Sequence, residues 1–297
     1  SLYHKLTDYP DHLEVFPAHG EGSLCGRGMS AKKSSTLGYE RRANPMLRFS
    51  SYDAFKENVL SAFPARPKSF SYIIETNLRG AATMDDCPMD KSLTPQQFER
   101  MMKDGAVIID ARDSAAFGGF HIPGSINIGF EKQMANWVGM VVDPRADIIL
   151  VVDDQKDYDR MVAELHRIGY DLIFGYLSGG IMAWLMSGRP VEQLEQTSPQ
   201  QLAQRIDDDE IRVIDVRTLA EWNDGRIEQA EHFPLSDILA DRFPPVGKEE
   251  ALVMQCKSGY RSNIAASIMR QAGYKHVKSL AGGVFAWSNA GYPLLSQ

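Results

Sequence analysis

A cysteine near the end of the chain stands in a setting that could do chemistry. The segment Cys-Lys-Ser-Gly-Tyr-Arg occupies positions 256–261, after an apolar run at 251–254 and before a segment with helical apolar spacing that ends at Gly273. This order predicts a strand, a tight loop and a helix, with Cys256 at the turn. The loop residues predicted to bind a substrate are Lys257, Ser258, Gly259, Tyr260 and Arg261.

The predicted surroundings of Cys256 favour a reactive thiolate. The following helix directs its free N–H groups and the positive end of its dipole into the loop, and consecutive loop amides can form an anion-binding nest. Lys257 and Arg261 add two positive charges. Such surroundings lower the pKa of a thiol and yield the nucleophilic thiolate. The alternative, a small buried core cysteine, is disfavoured because core cysteines are seldom flanked by Lys, Ser, Gly and Arg.

Several further motifs accompany the cysteine loop between residues 197 and 297. They are Asp215-Val-Arg217, Glu221-Trp222, Gly225-Arg226-Ile227, the run Leu-Ala-Gly-Gly-Val-Phe-Ala-Trp at 280–287, and Gly291-Tyr-Pro293. With the loop, this segment resembles the rhodaneses, the sulfurtransferases that carry sulfur as a cysteine persulfide. The resemblance implies that Cys256 is the catalytic residue. The segment Glu-Gln-Ala at 228–230 departs from the Pro-Gly-Ala that is usual in the family.

The length of the cysteine loop separates two kinds of chemistry. Related phosphatase folds place five residues between the cysteine and the arginine, whereas four lie between Cys256 and Arg261. A smaller ring of amides suits a single sulfur atom better than a phosphate with its oxygens. We therefore favour sulfur transfer over phosphatase activity.

The same pattern occurs twice, which predicts tandem domains rather than a solenoid. The run Leu-Ser-Gly-Gly-Ile-Met-Ala-Trp at 177–184 has the spacing of 280–287. We interpret Trp184 and Trp287 as structural residues that pack against the sheets. Thr94 and Ser198, each followed by proline, predict the N-terminal cap of the first helix in each repeat. Each repeat also has an Asp-x-Arg motif, which we interpret as an internal ion pair rather than as substrate ligands. These pairs are Asp110 with Arg112, and Asp215 with Arg217.

The first repeat lacks the cysteine chemistry. Its apolar run at 148–152 leads into an acidic segment, and aligning the strands places Asp153 at the position of Cys256. A carboxylate cannot carry sulfane sulfur, and its negative charge would repel an anionic donor. The first repeat therefore resembles the non-catalytic half of tandem rhodaneses, a domain that packs against the active one. The alternative is a domain that recognises a ligand or a partner.

Residues 1–90 share no repeat with the rest of the chain. They contain Pro-Ala-His-Gly at 17–20 and Gly-Ser-Leu-Cys-Gly at 22–26, and helical spacing covers 52–60 and 69–78. The two motifs resemble the C-terminal end of the metallo-β-lactamase fold, in the persulfide dioxygenases that are fused to rhodanese domains. The first residue is Ser rather than Met, so we interpret this region as a fragment of that fold.

The resemblance raises the question of a metal in the N-terminal third. The first metal motif of that fold, His-x-His-x-Asp-His, is missing from the sequence, and His19 would correspond to a late ligand position. A metal site needs three or four ligands. We therefore predict no cofactor in this chain, with His19 as a relic of a ligand position, and iron only where the missing part of the metal domain is present. Cys25 and Cys87 lack a positive cradle, and we expect structural or incidental roles for both.

Composition limits the classes of partner and compartment. The chain has 297 residues, enough for about two domains and a fragment. Its net charge of −7 argues against a nucleic-acid partner, and no apolar run is long enough to span a membrane. Three cysteines at unrelated spacings fit a reducing compartment, so we predict a cytoplasmic protein. Its partners are predicted to be small anionic sulfur compounds, and a homo-oligomer is left open.

These observations predict an α/β protein with two tandem rhodanese-like parallel-sheet domains after a C-terminal fragment of a metallo-β-lactamase fold. The predicted units are the fragment at 1–90, an inactive rhodanese-like domain at 91–192 and an active rhodanese domain at 197–297. Cys256 would move sulfane sulfur between thiosulfate or a low-molecular-weight persulfide and an acceptor such as sulfite, cyanide or a thiol. The resemblance further implies sulfide metabolism, with an upstream iron-dependent dioxygenase that supplies sulfite.

Two alternatives come from other functional classes. In the first, the chain is part of an iron-dependent persulfide dioxygenase, and the rhodanese unit is an accessory domain. In the second, the chain is a non-catalytic scaffold. The missing metal motif argues against the first alternative, and the intact Cys256 loop argues against the second.

Overall fold

The chain divides into two compact units. The structure is a computed structural model that describes residues 3–19, 32–61, 67–80, 83, 91–206 and 211–296. The first unit is Ser1–Ala65 and the second is Arg66–Gln297. The second unit contains both sequence repeats and the whole cysteine loop.

The first unit is built from short elements. Strands β1 and β2 pair antiparallel, and Thr36 caps the helix that follows by accepting a hydrogen bond from the Tyr39 N–H. The predicted helical spacing at 52–60 is confirmed by α2. In chain order the elements are a 3-10 helix (Leu6–Asp8), β1 (Glu14–Val15), β2 (Ser35–Thr36), α1 (Leu37–Ala43), a second 3-10 helix (Pro45–Leu47) and α2 (Tyr52–Ser61).

The first repeat forms a five-stranded parallel sheet in the strand order β3-β7-β6-β4-β5. Every residue of β6 is buried, as expected for a central strand covered on both faces. Thr94 caps α4 in a capping box, as predicted. The elements are α3 (Ser69–Arg79), β3 (Ser92–Leu93), α4 (Pro95–Lys103), β4 (Val107–Asp110), α5 (Ser114–Gly119), β5 (Ile126–Asn127), α6 (Met134–Val141), β6 (Ile148–Val151), α7 (Gln155–His166), β7 (Ile173–Leu177) and α8 (Gly180–Met186).

The second repeat forms an equivalent parallel sheet in the order β10-β9-β11-β12-β8. Ser198 caps α9 in a second capping box. Its elements are β8 (Gln196–Thr197), α9 (Pro199–Ala203), β9 (Ile211–Asp215), α10 (Leu219–Asp224), β10 (Ala230–His232), α11 (Leu235–Ile238), β11 (Ala251–Gln255), α12 (Tyr260–Gln271), β12 (His276–Leu280) and α13 (Gly283–Asn289).

Helix α3 lies in the second unit, although the sequence placed it with the N-terminal third. The Lys68 ammonium, next to its first residue, donates a hydrogen bond to the Val141 carbonyl at the end of α6, at 3.0 Å. The Ser69 side chain also fits against Gly139, where an added Cβ would come within 2.9 Å of the hydroxyl. These contacts fasten α3 to the first repeat.

The two repeats pack through α12, the helix that follows the cysteine. One cluster of buried apolar side chains includes Ile128 of the first repeat and Ile264 of α12. The Asn127 N–H donates to the Ser267 hydroxyl at 3.2 Å, and the Gln271 amide donates to the Gly124 carbonyl at 2.6 Å. The helix that follows the cysteine loop is therefore part of the interface between the repeats.

Candidate active site

The cysteine loop connects the central strand β11 to α12, as the sequence predicts. Cys256 follows directly after Gln255, and α12 begins four residues later at Tyr260. The N-terminus of α13 holds the loop from one side, because the Val284 N–H donates to the Cys256 carbonyl at 2.8 Å. The neighbouring Phe285 N–H donates to the Lys257 carbonyl at 3.1 Å. Two loop carbonyls are thus fixed by α13.

Two glycines permit this close packing. Gly259 has a φ of +99°, a left-handed conformation that favours glycine, and it is the residue before α12. Gly283 has a φ of +57°, and an added Cβ would lie 2.2 Å from the Cys256 carbonyl oxygen. The paired glycines of the repeat motif therefore serve the cysteine loop as well as the turn into α13.

The Cys256 sulfur is fully buried and has polar neighbours. The Gly259 N–H donates to Sγ at 3.2 Å, and the Ser262 hydroxyl lies 3.6 Å from Sγ. The positive end of α12 is directed at the same atom because the helix begins at the next residue. The Cys256 side chain has no exposed surface in this structure. The sequence singled out Gly259 but not Ser262.

Arg261 is bound by a carboxylate. The two terminal nitrogens of Arg261 donate to the two oxygens of Glu221, at 2.8 and 2.6 Å. This fork lowers the pKa of Glu221 to about 2, chiefly through the hydrogen bond from Arg261. The positive charge predicted for the loop at Arg261 is therefore paired with a negative one. Glu221 belonged to the family motif, but the sequence did not reveal its partner.

The remaining predicted loop residues lie in two different settings. Lys257 and Ser258 are exposed, and the Lys257 ammonium lies 4.9 Å from the centre of the Phe285 ring. Tyr260 turns to the first repeat, where its hydroxyl donates to the Gly129 carbonyl at 2.8 Å. Burial raises the pKa of Tyr260. Of the five predicted residues, the structure brings Gly259 into contact with the sulfur.

The Asp-x-Arg motifs are buried ion pairs, as predicted. Arg217 Nε and Nη2 bind the Asp215 carboxylate at 2.6 to 3.0 Å, and Nη2 also donates to the Gly225 carbonyl. Asp110 and Arg112 repeat the arrangement in the first sheet, where burial raises the pKa of Asp110 against the hydrogen bonds from Arg112. The pairs brace the loops after β9 and β4.

The two tryptophans also have the predicted structural role. Trp184 and Trp287 are buried. Their indole N–H groups donate to the carbonyls of Pro190 at 2.8 Å and Pro293 at 3.0 Å. Each therefore ties its helix to the segment that leaves the repeat.

Known proteins share both repeats of this fold. The rhodanese-like domain family matches residues 94–187 and again residues 198–290. The chain belongs to the rhodanese family. It is 32% identical over 104 residues to a sulfurtransferase of Allochromatium vinosum, a match that covers 35% of this chain and 96% of that protein. It is 29% identical over 108 residues to rhodanese-like domain-containing protein 17 of Arabidopsis thaliana, covering 31% of this chain and 67% of that protein.

A solved structure is similar over a longer stretch. The metallo-beta-lactamase from Staphylococcus aureus has a TM-score of 0.44 and 28% sequence identity, covering 58% of this chain and 47% of that chain. The predicted tandem rhodanese organisation is confirmed, and the relatives support sulfur transfer as the function at the level of the family.

The strand register corrects the predicted alignment between the loop after β6 in the first domain and the cysteine loop in the second. In the register of the second sheet, Asp215 of β9 lies beside Gln255 of β11. In the first sheet, the equivalent Asp110 of β4 lies beside Val151 of β6. The residue at the position of Cys256 is therefore Val152 and not Asp153. The expectation for Asp153 was wrong because the apolar run ends one residue after the strand does. Asp153 and Asp154 are exposed, and Asp154 caps α7. Since α7 begins three residues after Val152 and α12 begins four residues after Cys256, this loop is one residue shorter than the cysteine loop.

The N-terminal third does not supply a metal site within the described residues. His19 is exposed, and the described ranges contain no group of three or more His, Cys, Asp or Glu side chains that could hold a metal ion. That this chain holds no iron stays a prediction. Cys25 and Cys87 lie outside the described residues. In the part of the chain that the structure covers, no helix combines the length and apolarity needed to cross a membrane.

Proposed function

We propose that the protein transfers sulfane sulfur from thiosulfate or a low-molecular-weight persulfide to an acceptor such as sulfite, cyanide or a thiol. The main support for this proposal is the position of the Cys256 sulfur, which lies 3.2 Å from the Gly259 amide nitrogen at the start of α12. An amide donor and a helix N-terminus stabilise a thiolate, and a thiolate is the form that attacks sulfur.

With thiosulfate as donor, the Cys256 thiolate attacks the outer sulfur. A new S–S bond forms on Cys256, the bond between the two sulfurs of thiosulfate breaks, and sulfite leaves with the electron pair. The enzyme then holds a persulfide anion. In the second half-reaction the acceptor attacks this outer sulfur, and the Cys256 thiolate leaves. No net oxidation or reduction of the enzyme occurs over the cycle.

The persulfide has the same electrostatic needs as the thiolate. Its outer sulfur carries negative charge, and the free amides of the loop and the α12 dipole are the groups that offset this charge. Lys257 contributes a cation at the exposed side of the loop, whereas the charge of Arg261 is balanced by Glu221. The proposed reaction requires no cofactor in this chain.

Mass spectrometry after exposure to thiosulfate or glutathione persulfide tests the proposal. We expect one added sulfur atom on Cys256, and we expect cyanide to remove it as thiocyanate. The Cys256→Ser variant should lose sulfur transfer altogether, since a hydroxyl cannot carry sulfane sulfur. Added sulfur on Cys25 or Cys87, with Cys256 unmodified, would show that the assignment is wrong.

A further inference from the structure

A hydrogen-bonded series of buried polar side chains ends at the Cys256 sulfur. Ser262, Asn263 and Ser279 are fully buried, and they lie on α12 and β12 beneath the loop. The Asn263 amide donates to the Ser279 hydroxyl at 3.1 Å, and the Ser279 hydroxyl donates to the Ser262 hydroxyl at 2.8 Å. Ser262 in turn lies 3.6 Å from Sγ. Buried polar groups are costly unless paired, so this arrangement needs an explanation.

The direction of hydrogen bonding in this series is set at the end farthest from the sulfur, at Gln196. The Gln196 amide nitrogen donates to the Leu194 carbonyl at 3.1 Å and to Asn263 Oδ1 at 3.0 Å. Since its Oδ1 accepts from Gln196, Asn263 presents its NH2 group to Ser279 and to the Gly259 carbonyl. The Gln196 amide oxygen is a longer third acceptor for this group, at 3.4 Å. Ser279, which accepts from Asn263, has its proton free for Ser262. Each donor in the series thus faces the sulfur.

The single proton of the Ser262 hydroxyl has two acceptors within reach, the Gly259 carbonyl and the Cys256 sulfur. In the thiol form the hydroxyl donates to the Gly259 carbonyl at 2.8 Å, and the Cys256 thiol can donate to Ser262 Oγ. The Gly259 carbonyl also accepts from the Asn263 side chain at 2.8 Å and from the Asn263 N–H at 3.2 Å. If the Ser262 proton rotates away, that carbonyl keeps two donors for its two lone pairs. The rotation therefore leaves no buried acceptor unpaired.

We propose that Ser262 is a further catalytic residue, whose hydroxyl rotates from the Gly259 carbonyl to the Cys256 sulfur when the thiol loses its proton. Asn263 and Ser279 are positioning residues that supply Ser262 with a hydrogen bond from behind. The switch is a rotation about the Cβ–Oγ bond, and no covalent bond changes. In the thiolate the sulfur then has two donors, the Gly259 amide and the Ser262 hydroxyl.

The proposal rests on the proposed role of Cys256 and adds the group that stabilises its leaving form. When an acceptor removes the outer sulfur, the electron pair returns to Sγ, and Ser262 can donate to it there. The charged groups around the sulfur lie on three segments. Arg261 interacts electrostatically with Cys256 and Asp215 and binds Glu221, and Lys257 is adjacent to Cys256. The buried pair of Asp215 and Arg217 lies at the end of the neighbouring strand β9. None of these charges changes when Ser262 is replaced by alanine.

Alkylation of the full chain by iodoacetamide tests the proposal, with peptide mapping of Cys256. Because a hydrogen bond to a charged group is a strong one, Ser262→Ala should slow alkylation at pH 7 by about tenfold or more. Its pH profile should move to higher pH, a change that a purely structural role would not produce. Ser262→Thr retains a hydroxyl and should restore most of the rate. Ser279→Ala should slow alkylation less than Ser262→Ala does.

Ser267→Ala is the matched control. Ser267 is also a buried serine of α12, but its hydroxyl donates to the Asn263 carbonyl at 2.7 Å and accepts from Asn127. It should leave the pH profile unchanged even if it lowers stability. A wild-type profile in folded Ser262→Ala would overturn the proposal. Should that variant fail to fold, a wild-type profile in Ser279→Ala would overturn it. Sulfur loading is measured separately, so failure of Cys256 to accept sulfur counts against the proposed function instead.

Discussion

Glu221 binds Arg261 through both of its carboxylate oxygens, at 2.6 and 2.8 Å. The same carboxylate completes the capping box of α10, because one oxygen accepts from the Thr218 N–H at 3.2 Å and from its hydroxyl at 2.9 Å. A single side chain thus joins the start of α10 to the last residue of the cysteine loop motif. The charge of Arg261 is committed to this pair rather than free for an anionic donor.

The first prediction concerns Glu221→Gln and the binding of thiosulfate. Glutamine also serves at the third position of a capping box, so α10 should keep its start. The substitution removes one negative charge beside the site and leaves the Arg261 charge unbalanced. We expect the KM for thiosulfate to fall and to rise again with added salt. Steady-state kinetics over a salt series measures both effects.

Glu99→Gln is a suitable control for this measurement. Glu99 also binds an arginine, Arg189, at 2.9 Å, but it lies on α4 of the first domain, away from the cysteine loop. The substitution should leave the KM unchanged. A rise of the KM in Glu221→Gln would contradict the prediction. It would mean that the orientation of the Arg261 guanidinium affects thiosulfate binding more than the net charge of the site does.

The second prediction concerns acid stability. Arg261 lowers the pKa of Glu221 from its ordinary value of 4.5 to about 2. A carboxylate with a depressed pKa stabilises the folded state above its unfolded pKa, and this contribution is lost as the pH falls toward the folded value. Urea unfolding from about pH 5 to about pH 2.5 should therefore show a steeper loss of stability in the wild-type chain than in Glu221→Gln. Equal slopes would contradict the prediction.

The third prediction concerns the contact between the two domains at Tyr260. Its hydroxyl donates to the Gly129 carbonyl, and Tyr260 is the residue next to Gly259, whose amide binds the sulfur. Tyr260→Phe should cost about 1 kcal/mol of unfolding free energy, since a typical hydrogen bond contributes that much. It should also slow sulfur transfer, because the end of the cysteine loop loses its hydrogen bond to the first domain.

Tyr170→Phe provides the comparison for Tyr260→Phe. The Tyr170 hydroxyl lies 2.7 Å from the Val142 carbonyl and 3.3 Å from the Val138 carbonyl, and it is also hydrogen-bonded to the Ser69 side chain of α3, so its partners do not include the cysteine loop. Chemical denaturation should give similar losses for both variants, whereas turnover with thiosulfate should fall only for Tyr260→Phe. Equal turnover in the two variants would mean that the domain contact does not serve the active site.

The fourth prediction concerns iron. His19 is exposed, and the described residues offer it no group of partner ligands. We expect elemental analysis of the purified chain to find no stoichiometric iron, and we expect His19→Ala to leave sulfur transfer unchanged. Bound iron that disappears in His19→Ala would show that the N-terminal third retains a metal site.

Local signals made the strand, loop and helix around Cys256 predictable. Apolar spacing, capping residues and glycine stops lie within a few positions of the elements they define. The buried chain from Asn263 to Ser262 was missed because its burial depends on how α12 packs between β12 and the other domain. The available signal was the polar pair directly after Arg261, at the start of a helix whose buried side is otherwise apolar except for Ser267.

The partner of Arg261 was also beyond the sequence. Glu221 lies forty positions away, and its capping-box spacing from Thr218 accounts for it fully without a second role. The misplacement of Asp153 has a different cause. An apolar run marks buried residues rather than the end of a strand, and Val152 is buried although it follows β6.

The fifth prediction concerns the first domain, which we expect to be inactive. Val152 stands at the position of Cys256, but the loop after it is one residue shorter and lacks the glycine before the helix. Asp154 caps α7 where Gly259 precedes α12, so no equivalent amide is placed to bind a sulfur. The acidic side chains there also disfavour a thiolate and repel anionic donors. We therefore expect neither Val152→Cys nor Asp153→Cys to transfer sulfur in a Cys256→Ser background.

A longer replacement should do better than either point change. Exchanging residues 152–156 for Cys-Lys-Ser-Gly-Tyr-Arg restores the missing residue, the left-handed glycine and the arginine. Ala116 occupies the capping position that corresponds to Glu221, so Ala116→Glu supplies the partner of the new arginine. We expect measurable thiosulfate turnover from this combination, and less when Ala116 is retained. Robust turnover from Val152→Cys alone would show that the buried strand end suffices, and that the loop amides and the paired arginine contribute far less than their geometry implies.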